Sequence, residues 1–91
     1  MKYNEASSTI YKEDDMKGFV NITLDHTSTS KPSTIVNRIS NVDNVKFVHL
    51  VTGFVDAIAF VDAPTQDDFR DAICAISKVS GVASTNTNVA L

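Results

Sequence analysis

The chain has a single cysteine and no long apolar run, and each scarcity argues against a class of protein. It has one cysteine, Cys74, which excludes an internal disulfide and a multi-cysteine metal site and is typical of a reducing compartment. No apolar run approaches the roughly 18 residues of a membrane span, and the N-terminus has no apolar core of signal-peptide length. We therefore predict a cytoplasmic protein.

Positive charge is also scarce. Eight lysines and arginines face 11 aspartates and glutamates, which gives a net charge of −3, and the basic residues are scattered along the chain. No basic stripe exists for a nucleic-acid backbone, so we expect no direct DNA binding. A chain of 91 residues makes one small domain with a modest core, and a partner chain would add stability.

The pattern of apolar residues divides the chain in two. Residues 1–17 are polar and without periodicity, which predicts a flexible tail, and residues 18–91 form the domain. The domain begins with a strand in which Val20, Ile22 and Leu24 alternate with polar neighbours. A helix is predicted next, with Pro32 in its first turn. Its apolar face consists of Ile35, Val36, Ile39 and Val42.

The second half predicts a hairpin, a helix and a final strand. The apolar runs 45–51 and 55–61 flank Thr52, Gly53 and Phe54, which favours a hairpin with a glycine-containing turn. Thr65 and Asp68 have the spacing of a capping box. The apolar face of the following helix consists of Phe69, Ala72, Ile73 and Ile76. The closing segment VASTNTNVAL alternates like a strand, polar in its first half.

An internal echo suggests how these elements are arranged. The pattern I-S-x-V-x-[NG]-V begins at Ile39 and again at Ile76, so each predicted helix ends near an Asn or Gly able to turn left-handed. A match this short can also arise by chance. If it reflects a repeat, the fold is α+β and ferredoxin-like: βαββαβ, a four-stranded antiparallel sheet with two helices on one face. The middle strands are apolar on both faces, which favours a homodimer packed sheet to sheet.

Several of these motifs together resemble a known family. Val51-Thr52-Gly53-x-x-Asp56 at the hairpin and Thr85-x-Thr87 in the last strand are similar to the effector-binding (RAM) domain of the Lrp/AsnC transcription regulators. The resemblance implies a βαββαβ domain that dimerises through its sheets, assembles into rings or discs, and binds amino acids where dimers meet. Full-length members carry a helix-turn-helix domain of about 60 residues before this domain, whereas only residues 1–17 precede it here. The resemblance is therefore to a stand-alone effector domain.

The resemblance and the residue chemistry together predict a ligand site. An amino acid needs an anion for its ammonium and N–H or hydroxyl donors for its carboxylate. The expected ligand-binding residues are Thr52, Gly53, Phe54, Asp56, Ser84, Thr85 and Thr87. Each threonine could equally be an ordinary turn or strand residue. Strand alternation places Asp56 with Ile58 and Phe60, near the sheet's end, where water, backbone N–H groups or a cation would satisfy it.

Catalysis and metal binding have weaker candidates. Cys74 is expected to be a buried structural thiol, His49 a partly buried or interface residue, and His26 a solvated loop residue. Asp67, Asp68 and Asp71 suit a helix N-terminus without a cation, and the acidic run 13–15 suits solvent. We expect neither metal nor cofactor. Small dimeric ferredoxin-like monooxygenases keep an enzyme as a third alternative.

The predicted function is that of a non-enzymatic, amino-acid-sensing effector domain. It would act on transcription by co-assembling with full-length Lrp/AsnC-type regulators that bind DNA. The main alternative is a structural module that has no ligand and only co-assembles with such regulators. Stabilisation of the protein by an added amino acid would separate the two.

Overall fold

The computed structural model describes residues 15–90, which form a sheet with two helices on one face. The elements are β1 (Met16–Leu24), α1 (Pro32–Ser40), β2 (Val45–Leu50), β3 (Ala57–Ala63), α2 (Gln66–Ser77) and β4 (Val82–Val89). The sheet order is β2-β3-β1-β4, with every neighbouring pair antiparallel. The predicted ferredoxin-like βαββαβ fold is confirmed. Most of the predicted tail lies outside the described residues, whereas Met16 and Lys17 belong to β1.

Local sequence explains where the helices begin. α1 starts at Pro32, because the first turn needs no N–H from that residue. α2 follows Thr65, whose Oγ1 accepts a hydrogen bond from the Asp68 N–H at 3.0 Å, as the predicted cap requires.

The core lies between the helices and one face of the sheet. Val20, Ile22 and Leu24 of β1 are buried there, as their alternation predicted. Alternate residues of β3, namely Ala57, Ala59, Val61 and Ala63, are buried on the same face. The helices contribute Ile35, Ile39, Phe69, Ala72 and Ile76.

The hairpin connection is longer than the sequence indicated. β2 ends at Leu50 and β3 begins at Ala57, so residues 51–56 lie between the strands. The Val51 N–H still donates to the Asp56 carbonyl at 3.0 Å, but the Asp56 N–H donates to Ile22 of β1 instead of to β2. β3 continues to Ala63, beyond its predicted end, because β1 pairs with it as far as Met16.

The prediction that Cys74 is buried was wrong. Its side chain is exposed on the outer face of α2. The face of α2 that packs against the sheet consists of Phe69, Ala72 and Ile76, which have the spacing of one helical face. Cys74 is two residues from Ala72, so it points away, despite its apolar neighbours in sequence.

The internal echo marks a real structural repeat. Asn44 and Gly81, the equivalent residues of the two copies, both have positive φ, 72° and 103°. The carbonyl of Asn44 accepts from the Asp62 N–H at 3.0 Å, and that of Gly81 accepts from the Asp25 N–H at 2.8 Å. The two donors are as far apart in sequence as the two acceptors, so the halves β1-α1-β2 and β3-α2-β4 are related by an approximate two-fold.

The helices are short. In the part of the chain that the structure describes, no helix is long and apolar enough to cross a bilayer.

Candidate functional site

The connection between β2 and β3 projects from one end of the sheet. Thr52, Gly53 and Phe54 are all exposed, and the Phe54 side chain lies fully in solvent. Gly53 has φ +128°, a conformation that side chains disfavour, and a Cβ placed on it would meet nothing within 4 Å. The backbone at this turn is therefore open to a ligand or a second protein.

Asp56 ends this connection and carries two contacts. Its Oδ2 accepts the Leu24 N–H at 2.8 Å, and it lies 3.4 Å from Nε2 of His26. The carboxylate thus extends the hydrogen bonding between β1 and β3 beyond their last backbone pair. The expectation that a backbone N–H satisfies Asp56 at the sheet's end is confirmed.

Asp56 does not share the face of Ile58 and Phe60. It precedes β3, which begins at Ala57, so strand alternation does not extend to it. Its side chain is 29% exposed and lines a cavity with Leu24 and Ile35, on the side of the sheet that carries the helices.

This cavity has a volume of about 370 Å³ and lies between the β1-α1 loop, the start of α1 and the end of β2. Its innermost residues, Leu24 and Ile35, are buried members of the core. The other lining residues are Asp25, His26, Ser28, Ser30, Pro32, Leu50, Val51 and Asp56. The arrangement gives an apolar interior below a polar rim.

A second carboxylate, that of Asp25, lies at the same rim. Its Oδ1 accepts hydrogen bonds from Thr27 Oγ1 at 2.6 Å and from the Thr27 N–H at 2.9 Å. These bonds, chiefly that from the hydroxyl, and to a smaller extent the charge of His26, lower the pKa of Asp25, while desolvation acts weakly in the opposite direction. The rim is therefore negatively charged at neutral pH.

The predicted residues of the last strand lie elsewhere in the protomer. Thr85 and Thr87 of β4 pair with Ile22 and Val20, so they share the face that the helices cover, whereas Ser84 pairs with Thr23 and lies on the open face. β4 and β2 are the two opposite edges of the sheet. One protomer therefore separates Thr52, Gly53 and Phe54, which follow β2, from Ser84, Thr85 and Thr87 of β4. Asp56 instead is hydrogen-bonded to β1, the strand that lies beside β4.

A known protein family matches most of the chain. The model of the Lrp/AsnC ligand binding domain matches residues 17–91. The chain belongs to this family. No match was found among curated protein sequences.

Solved structures with the fold of this Lrp/AsnC domain include three from bacteria. TTHA0845 from Thermus thermophilus is 25% identical, with a TM-score of 0.72 over 84% of this chain and 92% of that one. Escherichia coli AsnC is 20% identical, with a TM-score of 0.72 over 96% of this chain and 60% of that one. A feast or famine regulatory protein from M. tuberculosis, complexed with L-methionine, is 21% identical. Its TM-score is 0.67 over 84% of this chain and 50% of that one.

The open face of the Lrp/AsnC sheet carries a row of aromatic rings. Phe19 and Phe47 flank Phe60, with ring centroids 5.1 and 5.4 Å from its own, and His49 lies 4.9 Å beyond Phe47. Phe19 is 43% and Phe47 39% exposed, and His49 is exposed as well. A contiguous apolar surface of this kind is typical of a protein interface.

The structure separates the side chains that an enzyme would use. Cys74 lies on the outer face of α2, His49 on the open face of the sheet, and His26 beside Asp56. Among residues 15–90, no three His, Cys, Asp or Glu side chains lie close enough together to hold a metal ion. The matching family model is that of a ligand-binding domain, and the M. tuberculosis protein is named a regulatory protein.

Sequence reasoning missed His26 as part of the site. The loop after β1 brings it to Asp56, 30 positions along the chain, and nothing in the local pattern around His26 predicts that contact. The strand pairing of Ile22 with Ala57 is what joins these two segments.

Proposed function

We propose that this domain binds a free amino acid at the connection 51–56 and acts on transcription by co-assembling with DNA-binding Lrp/AsnC-type regulators. The observation that carries the proposal is a partly exposed carboxylate, Asp56, at the rim of a cavity of about 370 Å³ beside an open glycine turn. Cavities from about 300 Å³ upward hold small ligands. The L-methionine bound by the M. tuberculosis relative supports an amino acid as the ligand class.

Asp56 supplies the anion for the ligand's ammonium. Within residues 15–90 its Oδ2 accepts the Leu24 N–H, and its Oδ1 accepts no hydrogen bond. The imidazole of His26 is 79% exposed and free to swing aside as a ligand enters. A charge-assisted hydrogen bond from an ammonium to Oδ1 would leave the Leu24 bond intact.

The ligand's carboxylate needs donors, which the connection and a second protomer supply. The backbone around Gly53 is accessible because no Cβ covers it, and the Thr52 hydroxyl is exposed beside it. Ser84, Thr85 and Thr87 contribute only if another subunit brings its β4 to this rim. The fully exposed ring of Phe54 is placed to contact that subunit.

The dimer that begins this assembly uses the open face of the sheet. Burying the row of Phe19, Phe47 and Phe60 against its two-fold copy removes exposed aromatic surface from water. Contacts through residues 51–56 then join dimers into rings. The surfaces that one protomer leaves uncovered support both steps.

The test is a thermal-shift screen of the purified protein with each of the twenty L-amino acids, with the D-enantiomers as controls. A ligand at a hundred times its Kd adds about 2.7 kcal/mol to the free energy of unfolding. For a domain of this size that raises Tm by about 10 °C or more. A protein whose Tm is unchanged by all twenty at 10 mM, a concentration of roughly a hundred times a weak Kd, has no amino-acid effector.

One observation favours a second function, that of an assembly module without a ligand. The Asp56 carboxylate already has a structural role, because it accepts the Leu24 N–H within the protomer. Native mass spectrometry separates the two functions. A pure assembly module forms mixed oligomers with a DNA-binding Lrp/AsnC regulator regardless of added amino acids, whereas a sensor changes the oligomer distribution when its amino acid is present.

A further inference from the structure

We infer that the cavity below Asp56 selects the class of effector: an amino acid with an uncharged aliphatic or thioether side chain, as in leucine or methionine. The inference rests on the proposed function, since it concerns which amino acid the same site accepts. It comes from three properties of the cavity, namely its interior, its volume and the charge at its rim.

The interior is apolar. Leu24 and Ile35 at its base are 5% and 1% exposed, and Pro32, Leu50 and Val51 form its sides. An amide or hydroxyl side chain placed against Leu24 and Ile35 would lose its water without gaining a hydrogen-bond partner. An aliphatic side chain placed there instead gains the free energy of apolar burial.

The volume suits a small ligand. About 370 Å³ lies near the lower end of the range for ligand cavities, which suits a ligand as small as a single amino acid. Because Asp56 is at the rim and Ile35 at the base, an amino acid bound by its ammonium directs its side chain inward. The length of that side chain then decides how much of the apolar interior is filled.

The charge at the rim excludes acidic effectors. Asp25 and Asp56 both line the cavity, and of the described residues that line it none is lysine or arginine. A second carboxylate on the ligand would meet the like charges of Asp25 and Asp56, with no lysine or arginine among these residues to offset them. A basic side chain directed inward would place its charge against Leu24 and Ile35, which offer it no hydrogen-bond acceptor.

The first experiment compares five probes by calorimetry and thermal shift: L-alanine, L-leucine, L-methionine, L-aspartate and L-lysine. Each additional buried methylene strengthens binding about fourfold, so leucine and methionine should bind one to two orders of magnitude more tightly than alanine. Aspartate should not bind. Tighter binding of aspartate or lysine than of leucine overturns this inference but leaves amino-acid sensing intact, whereas no binding of any of the twenty amino acids overturns the sensing itself.

The second experiment alters the side of the cavity. Leu50 is 51% exposed, so Leu50→Ala should leave the fold intact while removing apolar contact with the ligand's side chain. The ratio of leucine to alanine affinity should fall several-fold. Val89→Ala is the matched control, because Val89 is similarly exposed, at 45%, and lies on β4, away from the cavity. An unchanged ratio in Leu50→Ala, or an equal fall in Val89→Ala, contradicts the inference.

Discussion

Replacing Asp56 by alanine tests two roles of one carboxylate. Asp56→Ala removes the acceptor of the Leu24 N–H and the proposed anchor of the ligand's ammonium together. Asp56→Asn removes the charge but keeps a side-chain carbonyl of the same reach. The pair therefore separates a structural hydrogen bond from an electrostatic contact with a ligand.

The structure allows the cost of Asp56→Ala to be estimated. Leu24 is 5% exposed, so its N–H would be left buried without its partner, which costs about 1–3 kcal/mol. The adjoining cavity has a polar rim that admits water, which favours the lower part of that range. His26 adds little, since its imidazole is 79% exposed and exposed ion pairs contribute about 1 kcal/mol or less. We expect a loss of about 1–2 kcal/mol.

The assay is thermal unfolding with and without an amino acid that stabilises the wild type. A loss of about 1–2 kcal/mol lowers the Tm of a domain this size by about 5–15 °C. Asp56→Asn should retain most of the Tm, because its amide oxygen still accepts the Leu24 N–H. Both variants should lose the shift caused by the amino acid.

Two results would contradict these roles of Asp56. If Asp56→Ala has the wild-type Tm, the hydrogen bond to Leu24 contributes nothing. If Asp56→Asn keeps the full response to the amino acid, the ammonium is anchored elsewhere and Asp56 serves only the sheet.

Three further predictions concern the rest of the domain. Phe47→Asp places a charge in the aromatic row of the open face and should give monomers or unfolded chains by light scattering; an unchanged oligomer would rule out the sheet-to-sheet dimer. Gly81→Ala should cost about 2–4 kcal/mol in chemical denaturation, because φ is +103° there and the new Cβ would collide with Ile35; a loss below about 1 kcal/mol would contradict this. Thr27→Val should raise the pKa of Asp25 in a carboxyl NMR titration. Because the pKa of Asp25 is lower in the folded protein than in the unfolded chain, its ionised carboxylate stabilises the fold at pH values above the unfolded-state pKa. This stabilisation is lost as the pH falls through the folded-state pKa, so Thr27→Val should lose less stability on acidification than the wild type. If the pKa of Asp25 is the same in the variant, Thr27 is not what lowers it.

Much of the fold was predictable because its signals are local. Alternation in β1 identified Val20 and Ile22 as core residues, and the Thr65 cap located the start of α2, since each depends only on neighbouring positions. The burial of Cys74 was mispredicted because its neighbours in sequence are apolar, whereas a helix turns adjacent residues to different sides.

The candidate site was predictable only in part. The connection 51–56 lies on consecutive residues, so its turn and its aspartate are visible in the sequence. The partners of Asp56 are not, because Leu24 and His26 reach it only when β1 pairs with β3. Likewise, no local pattern shows that β4 and β2 are the opposite edges of the sheet, which keeps the β4 residues away from the turn that follows β2.

The order of elements, the buried faces of β1 and the helices, and the left-handed turns at Asn44 and Gly81 can be derived from local sequence, because periodicity and backbone stereochemistry act over a few residues. The cavity, the hydrogen bond that holds Asp56 and the aromatic row on the open face exist only in the folded protein. Each of these depends on which strands lie side by side. That pairing is set by burial of the whole core, since strands distant in sequence become neighbours only when the sheet and helices cover each other.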